Sequence, residues 1–124
     1  MRLDRPTAPA EQTLRDFAMG LPEAEETFPW EHRAIKVRKK TFVFLFTGEE
    51  GFSLSVKLPE SRDAALQLPG AEPTGYGLGR SGWVTACFDH DVTPPVELLR
   101  EWIEESYRAI APKRLAARLV DTGA

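Results

Sequence analysis

The stretch RAIKVRKKTFVFLFTGEEGFSLSVKL, residues 33–58, carries the strongest structural pattern in the chain. Ile35 and Val37 alternate with Lys36 and Arg38, which is the period of a strand that has one apolar face. The alternation therefore predicts a first strand whose aliphatic side chains point inward and whose cations point outward.

Two turns divide the rest of this stretch. Lys39 and Lys40 are predicted to form the turn into a second strand over residues 41–47, and residues 48–51 (GEEG) form the next turn. Residues 52–58 alternate again, with Leu54, Val56 and Leu58 inward and Ser53, Ser55 and Lys57 outward. Together these segments predict a three-stranded antiparallel meander.

The flanking segments predict helices and one more strand. Apolar residues at helical spacing predict an N-terminal helix that ends at Gly20, and residues 21–30 are interpreted as a loop. Ser61 is expected to cap a short helix, and residues 83–89 are expected to form a fourth strand. Thr93-Pro94 suits the start of a long C-terminal helix, because proline fits the first helical position.

The predicted fold is a single α+β domain over residues 1–124, with a core from about residue 10 to about residue 120. It consists of an antiparallel sheet of about four strands, packed by an N-terminal helix and a long C-terminal helix. The inner stripe of that long helix is predicted to consist of Val96, Leu99, Ile103, Ser106, Tyr107 and Ile110.

Composition and charge narrow the class of protein. The formal net charge is −3, but residues 33–57 carry six cations against two acids, and residues 1–31 carry three cations against seven acids. Such asymmetry favours an anionic partner for the basic part. The lone Cys87 and the absence of a long apolar segment predict a cytoplasmic protein that has no membrane span and no disulfide scaffold.

Several candidate chemistries fail on context. GLGRSG, residues 77–82, matches a dinucleotide-binding pattern, but the residues before it are interpreted as a loop and a strand follows where a helix is needed. His32 and His90 are too far apart in sequence to predict a metal site, and Asp89-His90-Asp91 is interpreted as a turn. Cys87 is expected to be a buried, inert thiol in an apolar strand. No catalytic residue, no metal and no cofactor is predicted, so the protein is not expected to be an enzyme.

The cations of the meander are the candidate binding residues. They could guard an exposed strand edge against aggregation, or they could track the phosphates of a nucleic acid. Trp30 and Trp83 are considered as stacking surfaces for unpaired bases, although packing in the core is an equal alternative. The predicted site for nucleic acid or another anion contains Arg33, Lys36, Arg38, Lys39, Lys40, Lys57, Arg80 and Trp83.

The chain resembles the MmcQ/YjbR-like family of small bacterial proteins. The resemblance rests on FPW at 28–30, AIKVRKKTFVFL at 34–45, SVKLP at 55–59, GYGLGRSGW at 75–83 and LLREWIEESYRAI at 98–110. Family members often have Lys/Arg-His-Trp before the fourth strand, whereas this chain has Arg80-Ser81-Gly82-Trp83. The recurring polar and aromatic residues of the family correspond here to Lys36, Lys40, Lys57, Trp83, Ser106 and Tyr107.

This resemblance implies an α+β double-wing fold similar to the DNA-binding domain of the phage transcription factor MotA, and a DNA-binding role by analogy of fold. DNA is therefore the expected partner. The alternative is a binding module for an anionic small molecule or a protein partner. In that case Lys36, Lys57 and Arg80 are expected to line one pocket with Trp83. A monomer is favoured.

Overall fold

The computed structural model describes residues 7–29, 32–75 and 78–119, and for residues 79 and 80 it describes the backbone alone. The elements follow one another as α1 (Pro9–Met19), β1 (Glu25–Thr27), β2 (Arg33–Val37), β3 (Lys40–Gly48), β4 (Gly51–Lys57), α2 (Arg62–Ala65), β5 (Ala71–Pro73), a 3-10 helix (Leu78–Ser81), β6 (Trp83–Asp89), α3 (Val96–Ile110) and α4 (Lys113–Ala117). The fold is α+β, as predicted.

All six strands belong to one antiparallel sheet in the order β1-β2-β3-β4-β6-β5. The meander of β2, β3 and β4 and the fourth strand β6 are confirmed. The sheet has two strands more than the predicted four, because β1 and β5 lie in segments that were interpreted as loops. Each has only three residues and lies at an edge, where Pro73 is tolerated although it lacks a backbone N–H.

The helices α1 and α3 pack on one face of the sheet, which we call the inner face. The buried core between them includes Leu14 and Ala18 of α1, Leu99 and Ile103 of α3, and the inward side chains of the strands. Those inward side chains are Ile35, Val37, Phe42, Val43, Leu45, Phe52, Leu54, Val56, Val84, Ala86 and Phe88. Trp102 is also buried on α3, so the packing role expected for this helix is confirmed.

A β-bulge in β3 shapes the first hairpin. Ile35 pairs with Val43 and Lys36 pairs with Thr41, so Phe42 is an extra residue on β3. Because of this extra residue, Phe42 and Val43 both face the core and are fully buried. The Phe42 ring packs edge-on against Tyr107 of α3, with ring centroids 5.1 Å apart.

Ser106 of α3 ties the bulge to the neighbouring strand. Its hydroxyl donates a hydrogen bond to the Phe42 carbonyl oxygen at 2.5 Å and accepts one from the backbone N–H of Lys57 at 2.9 Å. The side chain is fully buried. The side chain of Ser106 thereby links the start of β3 to Lys57, the last residue of β4.

The capping prediction at Ser61 is wrong in its detail. The helix covers only Arg62–Ala65, and the Ser61 side chain makes no capping hydrogen bond. Instead the carboxylate of Glu105 accepts hydrogen bonds from the backbone N–H groups of Glu60 and Ser61 and from the Ser61 hydroxyl. Glu105 lies 44 residues away in sequence from Ser61, so local propensity did not indicate this contact.

Candidate functional site

The candidate site lies on the face of the sheet that is turned away from α1 and α3, which we call the outer face. Strand alternation brings Lys36 and Thr41 to this face as a cross-strand pair, and Lys57 and Trp83 as another. These two pairs form a row across one end of the sheet. Lys36 and Lys57 lie on either side of β3, with their backbones roughly 10 Å apart.

The turn between β2 and β3 lies at the same end. Val37 pairs with Lys40, so the loop consists of Arg38 and Lys39, and the predicted turn at Lys39-Lys40 is displaced by one residue. Both loop residues have positive φ, 50° for Arg38 and 68° for Lys39, as a tight two-residue hairpin requires. Lys40 is instead the first residue of β3, and its side chain is exposed.

Arg33 is not a surface residue, contrary to the prediction that placed it in the binding site. Its side chain is 8% exposed, and its Nε donates to the Glu11 carboxylate at 2.9 Å. A second guanidinium nitrogen contacts Glu26, and the Phe28 ring lies 5.6 Å from the guanidinium carbon. Glu11 is fully buried and also accepts a hydrogen bond from the Thr47 hydroxyl at 2.7 Å. Arg33 is therefore part of a buried ion-pair network on the inner face of the sheet.

Glu26 joins that network to α1. Arg15 donates to both of its carboxylate oxygens, at 2.9 and 3.1 Å. Burial alone would raise the pKa of Glu26, but the hydrogen bonds from Arg15 and Arg33 lower it below its ordinary value. The same hydrogen bond raises the pKa of Arg15, so both groups stay charged near neutral pH.

Arg38 is also paired, although it lies at the surface. Its guanidinium binds both oxygens of Glu23, at 2.6 and 3.1 Å, and the two side chains are about equally exposed. This contact lowers the pKa of Glu23, and the charges of Arg114 and Arg118 lower it further. Arg38 does not continue the outward alternation of β2, because it belongs to the turn.

The four lysines behave differently from the two arginines. Among the residues that the structure describes, none of Lys36, Lys39, Lys40 and Lys57 has a carboxylate within ion-pairing distance. Glu25 is the register partner of Lys36 on β1, but no ion pair joins them. We call these lysines the lysine cluster. Arg114 and Arg118, close enough to influence Glu23, extend the positive charge at this end, and the sequence KRLAAR at 113–118 was the signal that could have indicated them.

The opposite end of the sheet is acidic. The β3–β4 turn contains Glu49 and Glu50, and Asp89 at the end of β6 is the register partner of Gly51. His90 lies beside this turn, with its Nε2 2.6 Å from the Glu49 carbonyl oxygen. The described part of the chain contains no group of three or more His, Cys, Asp or Glu side chains that could hold a metal ion.

The middle of the outer face is aromatic and hydroxylic. Phe44 is half-buried, and its ring packs against Trp83 with centroids 5.9 Å apart. Trp83 is only 8% exposed, so it is chiefly a packing residue, while Trp30 lies outside the described residues. Phe44 and Phe46 are outward aromatic side chains that the sequence interpretation missed, because both lie in the continuous apolar run FVFLF.

Hydroxyl groups and a second ring complete the face. Thr85 bonds to Ser55 at 2.7 Å and to Thr74 at 2.9 Å, so these three hydroxyls form one hydrogen-bonded chain. Further along β3, the His32 ring stacks on Phe46, with centroids 4.3 Å apart and an interplanar angle of 23°.

Cys87 also lies on this face and is exposed, which corrects the prediction of a buried thiol. Strand alternation puts it beside Ser53 rather than in the core. Partial burial and the negative charges of Glu72, Glu50 and Asp89 raise the pKa of the thiol. A raised thiol pKa disfavours the nucleophilic thiolate.

The glycine-rich segment does not have the context of a dinucleotide site. The strand β5 precedes it, contrary to the loop interpretation, but a 3-10 helix of four residues and then β6 follow. The fingerprint needs an α-helix there, whose N-terminus receives the pyrophosphate. The side chain of Arg80 lies outside the described residues, so the predicted pocket of Arg80 with Lys36, Lys57 and Trp83 stays a prediction.

Comparison with known proteins identifies the family. The YjbR family matches residues 19–109 of the chain. The chain belongs to the YjbR family. The match extends from the end of α1 almost to the end of α3, so it contains all six strands and the whole outer face.

Two solved structures are similar to this YjbR protein. One is protein DR2400 of Deinococcus radiodurans, which contains the DUF419 domain. It is 31% identical, with a TM-score of 0.65, and the alignment covers 79% of this chain and 75% of that one. The other is a protein from Pseudomonas syringae, 19% identical with a TM-score of 0.59, for which the alignment covers 79% and 96% of the two chains. No curated protein matches the chain. Within the described residues, no helix is long and apolar enough to cross a membrane.

Proposed function

We propose that this YjbR protein is a non-catalytic nucleic-acid-binding protein that contacts phosphates through the lysine cluster. The observation that supports this proposal is that the cations of this part of the sheet differ in their partners. Arg33 and Arg38 are neutralised by carboxylates, whereas no carboxylate of the described residues pairs with Lys36, Lys39 and Lys40 of the same hairpin or with Lys57 on β4. Cations without carboxylate partners can exchange their counterions for phosphates.

The position of the lysines supports the same proposal. Lys39 and Lys40 lie at and beside a two-residue turn, and Lys36 and Lys57 lie on the adjoining outer face. The β2–β3 hairpin would serve as a wing that follows the phosphate backbone, while the face beside it contacts the nucleotides. The acidic turn with Glu49 and Glu50 is at the other end of the sheet, so the charge distribution orients a polyanion toward the lysine cluster.

The proposal does not include catalysis or a cofactor. The hydroxyls of Ser55, Thr74 and Thr85 are bonded to one another, and the raised thiol pKa of Cys87 disfavours a thiolate nucleophile. Both features are consistent with a surface that binds and does not react.

The test is a titration of fluorescein-labelled oligonucleotides, single-stranded and duplex, followed by fluorescence anisotropy at two salt concentrations. If the four lysines each neutralise one phosphate, affinity should fall about 100-fold between about 50 mM and about 200 mM salt. The double variant Lys39→Glu with Lys40→Glu should abolish binding. The matched control reverses the charge of the other two-residue turn, Glu49→Lys with Glu50→Lys, and should not weaken binding. No binding of either oligonucleotide at the lower salt concentration would refute the proposal.

A second candidate ligand is an anionic small molecule between Lys57 and Lys36. The register pair of Lys57 with Trp83 supports it, because it places a cationic and an aromatic residue next to each other on the outer face. Pyrophosphate is a suitable probe. Saturable binding of pyrophosphate that is insensitive to the Lys39 and Lys40 substitutions, with no oligonucleotide binding, would favour this candidate.

A further inference from the structure

We infer that the outer face takes unpaired rather than duplex nucleic acid, with bases stacked on Phe44 and phosphates held by Lys36 and Lys57. This inference rests on the proposed function and names its ligand class. Three features of the sheet support it: the place of Phe44 among its neighbours, a second ring along the same strand, and the width of the face.

Phe44 projects from an interior strand of the sheet, and its direct register partners on both neighbouring strands have small side chains. Its register partners are Ala34 on β2 and Ser55 on β4, so no large side chain stands beside it on either neighbouring strand. The ring is half-buried and contacts Trp83 at an interplanar angle of 51°. Such a ring offers part of its surface to a planar ligand, and its contact with Trp83 helps to hold it in place.

The lysines flank this ring symmetrically. Lys36 lies two residues after Ala34 on β2, and Lys57 lies two residues after Ser55 on β4, so both are diagonal neighbours of Phe44. Diagonal neighbours across antiparallel strands are roughly 7–8 Å apart, within reach of lysine side chains. A base on the ring would therefore have an ammonium group within reach of its phosphate on each side.

A second aromatic position continues along the same strand. Phe46 lies two residues after Phe44, roughly 6.7 Å further along β3, and bears the stacked ring of His32. Proteins that bind single strands commonly combine cations with successive aromatic side chains, because every base has a face that can stack. The outer face has both components, two lysines and two successive aromatic side chains of β3.

The width of the face disfavours a duplex. Six strands at a spacing of roughly 4.8 Å make a surface roughly 24 Å wide, whereas the major groove is about 12 Å wide and admits a two-stranded ribbon. Phe44 lies on an interior strand, so a sheet of this width cannot bring it to the base edges in the major groove of a duplex. An unpaired strand has no such restriction, because its bases can turn toward the sheet.

Neither stacking on Phe44 nor ion pairing with Lys36 and Lys57 involves the 2′-hydroxyl of a sugar. DNA and RNA single strands share the chemistry that the face recognises, and the experiment includes both.

The experiment uses the full chain and three labelled probes: a twelve-nucleotide thymidine DNA strand, its duplex with the complementary strand, and a uridine RNA strand of the same length. The wild-type protein should bind at least one single strand tenfold or more tightly than the duplex. Phe44→Leu should weaken single-strand binding roughly tenfold and change duplex binding less than twofold. Phe44→Tyr keeps the ring and should retain single-strand binding.

Phe17→Leu is the matched control, because Phe17 is a half-buried ring on α1, on the other side of the sheet. It should leave binding of all three probes unchanged. Equal affinity for single strand and duplex, or an unchanged affinity of Phe44→Leu, would overturn the inference, and salt-dependent duplex binding would still uphold the proposed function. Absence of binding to every probe would overturn both.

Discussion

The inner and outer faces of the sheet differ in how they accommodate cations. Arg33 and Lys36 are three residues apart on β2, yet Arg33 is buried against two carboxylates, whereas Lys36 is half-exposed and no carboxylate of the described residues is bound to it. The inner face must neutralise each charge, because an unpaired charge in the core would cost several kcal/mol. The cations of the outer face are partly exposed to solvent, which screens their charge, so they need no carboxylate partners.

This difference predicts which substitutions affect stability. Arg33→Ala leaves the fully buried Glu11 without its guanidinium and should lower the free energy of unfolding by about 3–5 kcal/mol. Lys36→Ala on the same strand is the matched control, with an expected change within about 0.5 kcal/mol. Urea denaturation followed by circular dichroism measures both. Similar values for the two variants would remove the distinction between the faces.

A substitution of Ser106 tests how much its hydrogen bonds from α3 to β3 and β4 stabilise the fold. Ser106→Ala removes the hydroxyl that joins the Phe42 carbonyl to the Lys57 N–H, and should cost about 1–3 kcal/mol because both backbone groups lose a partner. Ser53→Ala on the outer face is the control, with a change within about 0.5 kcal/mol. The two free energies of unfolding come from parallel urea titrations. If Ser106→Ala lowers the free energy of unfolding no more than Ser53→Ala does, the hydroxyl is not needed to hold β3 and β4 together.

The β2–β3 turn should gain stability from a substitution that reduces its charge. Lys39 has a φ of 68°, a conformation that favours glycine, so Lys39→Gly should raise the free energy of unfolding by roughly 0.5–1 kcal/mol. Lys40→Gly, one residue later in β3, should lower it, because glycine weakens a strand. Thermal denaturation of the two variants distinguishes the effects. Destabilisation by both would contradict the left-handed geometry of Lys39.

The mildest perturbation is a change of pH. The pKa of Glu26 in the folded protein is below its ordinary value of 4.5, so the unfolded chain binds more protons in this range. The resulting stabilisation is present above pH 4.5 and is lost as the pH falls through the folded-state pKa. Urea denaturation between about pH 5 and pH 3 should show this loss, and Glu26→Gln should make the dependence shallower. An equally steep decline in the variant would assign the loss to other carboxyl groups.

The sequence was sufficient where structure depends on local periodicity. The alternation in residues 33–58 predicted the meander, and the helical stripe through Leu99, Ile103 and Tyr107 predicted the packed side of α3. Both are set by which side chains must leave water, a property that can be read along a single segment. The resemblance in sequence also indicated the family correctly.

The sequence was insufficient where a residue's state depends on a distant partner. The strand β1 has only three residues, EET, and it forms because it pairs with β2 and because Glu26 meets Arg33 and Arg15. The hairpin register depends on the bulge at Phe42, which Ser106 holds from 64 residues away. No periodicity within either segment contains that information.

The basic segment of residues 33–40 shows the same division. Its composition determined that cations would gather at one hairpin of an antiparallel sheet. The tertiary structure decided which of them are neutralised, because Arg33 meets Glu11 across 22 residues and Arg38 meets Glu23 across 15. A carboxylate neutralises a cation only where the folded chain brings the two within a few ångströms, and that distance is a property of the tertiary structure alone.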